Sequence, residues 1–557
     1  MSPKFHGLGC LFLNTWYQGF LQESYQSGSV RPDAPYAAQL DALRDSFFGD
    51  ADFYSRHLSA AGIAADDVIV NCAPLQAAWA TGNGLDPAAL GLSPAGFHGT
   101  LPALWQPAAL AQIERLRPEI LYVQDMNATP ADFLDAARPH VALIVGQIAC
   151  AATSVALDRY DVIFTSFPHF VERFRAQGAC CFYAPLAFDP RVQKAAGDIP
   201  FAARDLPVTF VGGVSPLHAG AEPLLEALCG LPGMGFYGYG RDNLRPGSPV
   251  RALHHGEAWG LDMFRLLGRS RITINRHVDA AEGHANNMRL FEATGMGALL
   301  LTEAADNLGE LFEPGREVLT YSSPEECLEL AAWHLAHPGA AEAIARAGQA
   351  RTLRDHTYAA RMRRTARILS RRLRHRREED AQRALTPGAV STGYEALDPE
   401  AAAAPENALS GAWRDPSIPP RQRALVHGEL GRMYRGHVPT PFAGLAGILA
   451  PVARPGLTLL EIGCGAGYYA EALEYLVRPP LAYVGVDYST PMLRTAHDWY
   501  PDTPFAVSDG AALPFADGSF DVAVSSGVLL HVQDWRRHVP ETVRVAKSFV
   551  VLHRTPV

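Results

Sequence analysis

Residues 457–469 read LTLLEIGCGAGYY. An apolar run carries a single acid, Glu461, and then meets glycines at alternate positions, Gly463, Gly465 and Gly467. A glycine inside a regular element costs about 0.5–1 kcal/mol relative to alanine, so a cluster of them implies that side chains are excluded from this place. Strand, glycine-rich turn and helix together put backbone N–H groups at the mouth of a parallel sheet, where a ligand lies. A dinucleotide fingerprint would require G-x-G-x-x-G, but position 468 is tyrosine and the spacing is G-x-G-x-G after an acid. An acid there suits a ligand carrying an ammonium group rather than a pyrophosphate.

The segments that follow agree. YVGVDYS (483–489) reads as a strand ending in Asp487, where a carboxylate can accept both hydroxyls of a ribose, and Tyr488 offers a flat face to a purine edge. FAVSDGAALPFADGSFDVAVSSGVLLHV (505–532) places Asp509 at the end of a third strand, suited to an adenine amino group, and FDVAVSS is a fourth strand. In motif order and spacing, residues about 415–557 resemble a class I S-adenosylmethionine-dependent methyltransferase. The resemblance implies that Glu461, Gly463, Gly465 and Gly467 hold the methionine end of the cofactor. It assigns the ribose to Asp487 and the adenine to Asp509, Gly510 and Ala511. Methyl transfer needs alignment and desolvation more than acid–base chemistry. His531, just after the fourth strand, is the candidate acceptor-side catalytic residue, against the plainer reading of a helix-start histidine. SFVVLHRTPV (548–557) reads as a fifth strand, whereas the fold normally continues with an antiparallel hairpin of two more. Either a short domain or a fragment is expected.

Upstream lie more than four hundred residues. The chain has 557 residues, 48% hydrophobic and 19% charged, with net charge −10. That length predicts about two to four domains. The acidic balance disfavours a nucleic-acid partner. The 8 cysteines show neither metal spacing nor a disulfide framework, which suits a reducing cytoplasm, and no metal is expected. No signal peptide and no run of about 18 apolar residues is present, so no integral membrane segment is expected.

Short apolar runs alternate with amphipathic stretches. DDVIVNC (66–72), EILYVQD (119–125), HVALIVGQ (140–147) and YDVIFTS (160–166) read as buried strands of βα units. The pattern restarts near Asp198–Pro207 with LPVTFVGG (206–213), MGFYGYG (234–240), SRITINR (270–276) and GALLLTE (297–303), and residues 323–353 read as helical. RMRRTARILSRRLRHRR (361–377) is a basic helix, read as a solvated crossing between domains in preference to a nucleic-acid or lipid patch. Residues 386–411, rich in Pro, Ala, Gly and Ser, read as a linker. The expected domains are 1–198, 199–385 and 412–557.

HANNMRLFEATGMGALLLTEAADNLGELFEPGREVLTY (284–321), with HPGAAEAIARAGQARTLRDHTYAARM after it, resembles the C-terminal half of GT-B glycosyltransferases, closest to the spore-maturation CgeB-like group. NTWYQGFL and FPHFVERFRAQGA extend the resemblance over roughly 1–370. It implies an α/β fold: two Rossmann-like domains in a GT-B arrangement, followed by the Rossmann-like methyltransferase domain. For a nucleotide-sugar donor, Glu292 can accept from a ribose diol. Arg289, Arg276 or Arg271 can offset diphosphate charge, and Gly212 with Gly213 can admit a phosphate to backbone N–H groups. Retaining members often carry a second glutamate upstream; His284 stands there instead and is read as a donor-phosphate contact or a plain loop histidine. Asp125, Gln147 and His169 follow strands and are candidates to orient an acceptor hydroxyl, with His169 carried as catalytic. The expectation is a cytoplasmic bifunctional enzyme using S-adenosylmethionine and a nucleotide sugar. Its substrate would be a glycan, a glycolipid precursor or a glycosylated natural product, with peripheral contact to a lipid-linked acceptor. The alternative is an active methyltransferase with a non-catalytic glycan-binding GT-B module.

Overall fold

The computed structural model describes residues 9–92, 102–214, 221–384, 413–529, 531–532 and 534–554. The expected linker at 386–411 lies outside them. The chain divides into two compact units, Met1–Leu373 and Arg374–Val557.

The first unit holds two parallel sheets. One contains β1 (Gly9–Asn14), β2 (Ala64–Ile69), β3 (Ile120–Val123), β4 (Leu143–Ile148), β5 (Val162–Thr165) and β6 (Cys181–Tyr183), in the order β2-β1-β3-β4-β5-β6. The other contains β7 (Leu206–Val211), β8 (Met234–Tyr237), β9 (Ser270–Asn275), β10 (Leu299–Glu303) and β11 (Leu319–Tyr321), in the order β11-β10-β9-β7-β8. Strands such as β4, LIVGQI, are buried at every position because helices cover both faces of a parallel sheet. The sequence reading misses β1, β6 and β11. Of these, β1 is an unbroken buried run without alternation, and the other two span 3 residues each. The helical stretch 323–353 is two helices, Pro324–Ala336 and Pro338–Asp355, since Pro338 lacks the N–H that would continue the first.

The basic helix runs Tyr358–Ala384. Within the first unit it straps the end of the second sheet's domain onto the first. The Tyr358 hydroxyl donates to Asp50 Oδ1 at 2.7 Å, Arg361 Nε to the Pro185 carbonyl at 3.0 Å and Arg364 to the Tyr183 carbonyl at 2.7 Å. Met362, Ile368, Leu369 and Leu373 are buried. The expectation of a solvated crossing is therefore corrected. The helix does cross, but its apolar stripe is packed and two of its arginines are spent on backbone carbonyls.

The second unit is one parallel sheet of β12 (Thr458–Ile462), β13 (Ala482–Asp487), β14 (Phe505–Val507), β15 (Phe520–Ser526) and β16 (Ala546–His553), in the order β14-β13-β12-β15-β16. The order reverses between β12 and β15, so the ligand crevice of such a sheet opens beside the end of β12. Register pairs Glu461 with Gly485 and Asp487 with Val507. Among the described residues no helix is long and apolar enough to cross a membrane.

The strap gives a stability test. Arg361 also donates to the Asp355 carbonyl and to His356 Nδ1, at 3.2 and 2.8 Å, and burial lowers its pKa to about 10. Arg361→Ala leaves buried acceptors unpaired and should cost about 2–4 kcal/mol. Exposed Arg363→Ala should change stability by less than about 0.5 kcal/mol. Urea unfolding of the full-length protein compares the two.

Candidate functional site

In the first unit a cleft of about 410 Å³ lies between the two sheets. The first domain contributes Asn14–Tyr17 beyond β1 and the turn Phe48–Asp50. The second contributes Gly212 and Gly213 beyond β7, Tyr239 beyond β8, Arg276 beyond β9, and Arg289 and Glu292 from the helix Arg289–Gly295. A Cβ on Gly213 would stand 2.2 Å from the Tyr239 ring, so the residue there must lack one. Tyr239 in turn stacks on Trp259 at 5.9 Å, and Tyr17 meets both edge-on.

Glu292 is buried and pairs with Arg289 at 2.7 Å; burial raises its pKa although Arg289 opposes the rise. Asp50 lies in the same cleft. Burial pushes its carboxyl up to about 6 against the Tyr358 hydrogen bond, with Glu292 adding to the rise. Thus two reluctant carboxylates, one from each domain, face the same space. Arg289 has its Nε on the Val211 carbonyl at 2.8 Å. Arg276 pairs with Glu303 at 3.2 Å and Asp279 at 3.4 Å, so part of its charge is already offset.

The other expected residues fall elsewhere. His169 and His284 come together, their rings stacked at 4.8 Å beside Glu282, but neither lines the cleft. His284 instead borders a second, more polar cavity with Glu282, Arg276 and Glu303. Arg271 is turned to the Arg204 carbonyl at 3.0 Å. Asp125 accepts from Thr15 at 2.5 Å and from Ala128 N at 3.1 Å, as a turn cap. Gln147 is buried between the Tyr122 and Tyr54 hydroxyls, each at 2.8 Å. Asp50, Tyr17, Tyr239 and Trp259 were not legible in the sequence. The GD dipeptide after a double phenylalanine is the only local signal for Asp50.

In the second unit the expected residues gather at one edge of the sheet. Gly463, Gly465 and Gly467 have φ of 75°, 55° and 75°, the left-handed region, and a Cβ on Gly463 would stand 2.3 Å from Val528. The turn they form follows β12. Asp487 ends β13, with one carboxylate oxygen accepting from Gly465 N and the other from Ser489 N, both at 2.8 Å. Its pKa is raised by burial, with those backbone bonds opposing. Asp509 follows β14 and accepts from Ala511 N at 3.0 Å. Glu461 sits beneath the turn, accepts a short hydrogen bond from the Tyr483 hydroxyl, and is pushed by burial up to about 8. Gly510 lies so near His538 that a Cβ would stand 2.4 Å from its Nδ1; His538 is buried and holds Ser525 Oγ through Nε2 at 2.9 Å.

A segment ahead of the sheet covers this edge. Trp413 meets the His531 ring edge-on at 5.1 Å, Arg414 lies over Tyr488 at 5.4 Å, and Gln422 Oε1 accepts from Ala466 N at 3.2 Å. Burial lowers the His531 pKa. Nothing in the motif spacing announces Gln422, which arrives from the helix Ile418–Tyr434. Positive-φ glycines that leave no room for a Cβ, and a backbone N–H capped by a borrowed side-chain oxygen, fit a polar ligand lying along the turn.

Comparison with known proteins agrees with this partition. Residues 220–367 match a family model described as glycosyl transferase-like, and residues 460–551 one described as a methyltransferase domain. An uncharacterized methyltransferase of Mycolicibacterium gilvum is 43% identical over 86 residues, 14% of this chain and 31% of that protein. A demethylmenaquinone methyltransferase of Desulfitobacterium hafniense is 33% identical over 101 residues, 17% of this chain and 40% of that protein. The chain thus spans less than half the length of the curated relatives it matches. Among solved structures, Anabaena HepE in complex with UDP and glucose is 14% identical with a TM-score of 0.40, covering 65% of this chain and 100% of that one. The chain therefore joins a glycosyltransferase-like domain to a methyltransferase domain.

Proposed function

We propose that the protein is a bifunctional transferase that glycosylates and methylates a glycan, a glycolipid precursor or a glycosylated natural product. A nucleotide sugar would be the donor in the first unit and S-adenosylmethionine the cofactor in the second. We place the domain limits at 1–198, 199–385 and 412–557, the first half in the CgeB-like group, and the protein in the cytoplasm, with peripheral contact to a lipid-linked acceptor. The observation that carries this reading is the convergence, at the carboxyl edge of the second unit's sheet, of the glycine turn, Asp487, Asp509 and His531. A tether between two such activities raises the effective concentration of one enzyme's product at the other.

In the methyltransferase half, Asp487 has lone pairs left on oxygens already oriented by Gly465 and Ser489, so a diol can be added without reorganisation. S-adenosylmethionine supplies an electrophilic methyl group when bound. The chain's part is to align it and keep water out: Trp413, Tyr488 and His531 wall the edge, and His531, whose pKa burial lowers, would take a proton from an acceptor hydroxyl. In the glycosyltransferase half, Glu292 is the diol acceptor, Gly212 and Gly213 open backbone to the diphosphate, and Arg289 and Arg276 face it. His284 and His169 lie together off this cleft, and we assign them no step on the donor.

Three outcomes test these roles. Asp487→Asn should weaken S-adenosylmethionine by about tenfold in calorimetry, since bonds to charged groups contribute about 1.5–3 kcal/mol; unchanged affinity would remove the ribose assignment. Glu292→Gln should keep the fold and lose about tenfold in affinity for nucleoside diphosphates, read by thermal shift with UDP, GDP and TDP. If the unaltered protein shifts with none of them, the glycan-binding module takes the place of the donor site. Glu461 has a folded pKa of about 8 against 4.5 unfolded, so its contribution is complete below about pH 4.5 and is lost as pH rises through 8. Thermal midpoints of the unaltered protein should therefore fall relative to Glu461→Gln between pH 6 and pH 9, both measured without cofactor.

A further inference from the structure

Beneath the methyltransferase sheet, within the second unit, lies a polar cluster that the proposed transfer does not use. The helix Tyr358–Ala384 carries His375 and Glu378 three positions apart, on one face. The helix Ile418–Tyr434 brings His427 against them. His375 Nδ1 stands 3.0 Å from His427 Nδ1, and His427 Nδ1 stands 2.8 Å from Glu378 Oε2. The His375 and His427 side chains are only 2% and 6% exposed, whereas Glu378 is 36% exposed and opens the cluster to solvent.

The far side of His375 fixes its tautomer. Its Nε2 lies 2.8 Å from Glu471 Oε1, and Glu471 is buried and also accepts from the Tyr434 and Tyr500 hydroxyls, each at 2.8 Å. A buried carboxylate so placed takes the imidazole's N–H, which leaves the Nδ1 lone pair of His375 directed at His427. A carboxylate holding the remote nitrogen of a histidine is the arrangement that orients metal-ligating imidazoles and raises their basicity. Two imidazole nitrogens and a carboxylate oxygen, all within 4.8 Å of one another, then face one another.

We propose that His375, His427 and Glu378 bind a divalent transition-metal ion of the zinc class, with a fourth position open to water on the Glu378 side. Zinc takes nitrogen and oxygen ligands at about 2.0–2.2 Å. In tetrahedral geometry that separates ligand atoms by about 3.4 Å, so the contacts at 3.0 and 2.8 Å must open by about half an ångström, while the remaining pair, within 4.8 Å, must settle to the same separation. Mixed imidazole and carboxylate donors suit zinc better than magnesium or calcium. The ion would clip the helix before residues 385–412 to the helix after them. It would be structural and separate from the cofactor edge.

The test uses full-length, tag-free protein stripped with a chelator and titrated with zinc against a chromophoric competitor. One zinc per chain is expected, together with a rise in the thermal midpoint. Cobalt(II) in its place should give the intense visible bands of a tetrahedral site. Glu378→Gln, on the solvent side and away from the Glu471 network, should fold normally and lose at least tenfold in zinc affinity. His427→Gln should lose it as well. Retention of no zinc by the unaltered protein, or equal affinity in Glu378→Gln, overturns the proposal and leaves the cluster a hydrogen-bond network.

Discussion

Two backbone N–H groups donating to the single carboxylate of Asp487 hold the second unit's working edge together. One comes from the glycine turn after β12 and the other from the start of the helix after β13. Neither turn has side-chain bulk to fix it: the first is glycine at alternate positions, and the second is held by Ser489, whose Oγ receives Met492 N at 3.4 Å. The shared acceptor adds to the Gly463 and Cys464 N–H bonds on the Val486 carbonyl, at 2.7 and 3.0 Å, which already join the two strand ends. With it, the edge is preorganised, and its cost is a buried charge whose pKa is pushed up.

The first unit solves a related problem with different chemistry. Its cleft holds two carboxylates, the half-buried Asp50 and the buried Glu292, partnered by Tyr358 and by Arg289. The donor to Asp50 comes from the helix that straps the two domains, so the electrostatics of the cleft depend on the closure of the strap. Within the arginine-rich stretch, Arg361 and Arg364 are structural donors to carbonyls.

The sequence discloses what is local. Apolar runs ending in glycine or an acid gave the strands and their carboxyl ends, and the G-x-G-x-G turn gave the second unit's edge, because in a parallel sheet those ends share one side. Residues brought in by tertiary packing were hidden. Asp50 sits in a turn with positive φ at Phe47 and Ala51 on either side, Gln422 in a helix of ordinary composition, and His538 in a helix whose purpose is visible only once Gly510 lies against it. Partnering was also invisible. The sequence offers Arg276 and Arg289 as cations for a diphosphate, with a surface ion pair the plainer reading of Arg289, but it does not name their partners, Glu303 and Asp279 for the first and Glu292 and the Val211 carbonyl for the second. His169 and His284 lie far apart in sequence, and the stack that takes them out of the cleft has no local signature.

The carboxamide of Gln422 on the Ala466 N–H has a kinetic meaning. An N–H facing bulk water exchanges its partner readily, whereas one held by its own chain releases it when the glutamine side chain rotates away or its helix shifts. A molecule entering this edge therefore trades one amide-type acceptor for another, with little enthalpy to gain at that atom. On the proposed assignment, selectivity at such an edge would rest on the contacts made after that exchange, at Asp487 and Asp509.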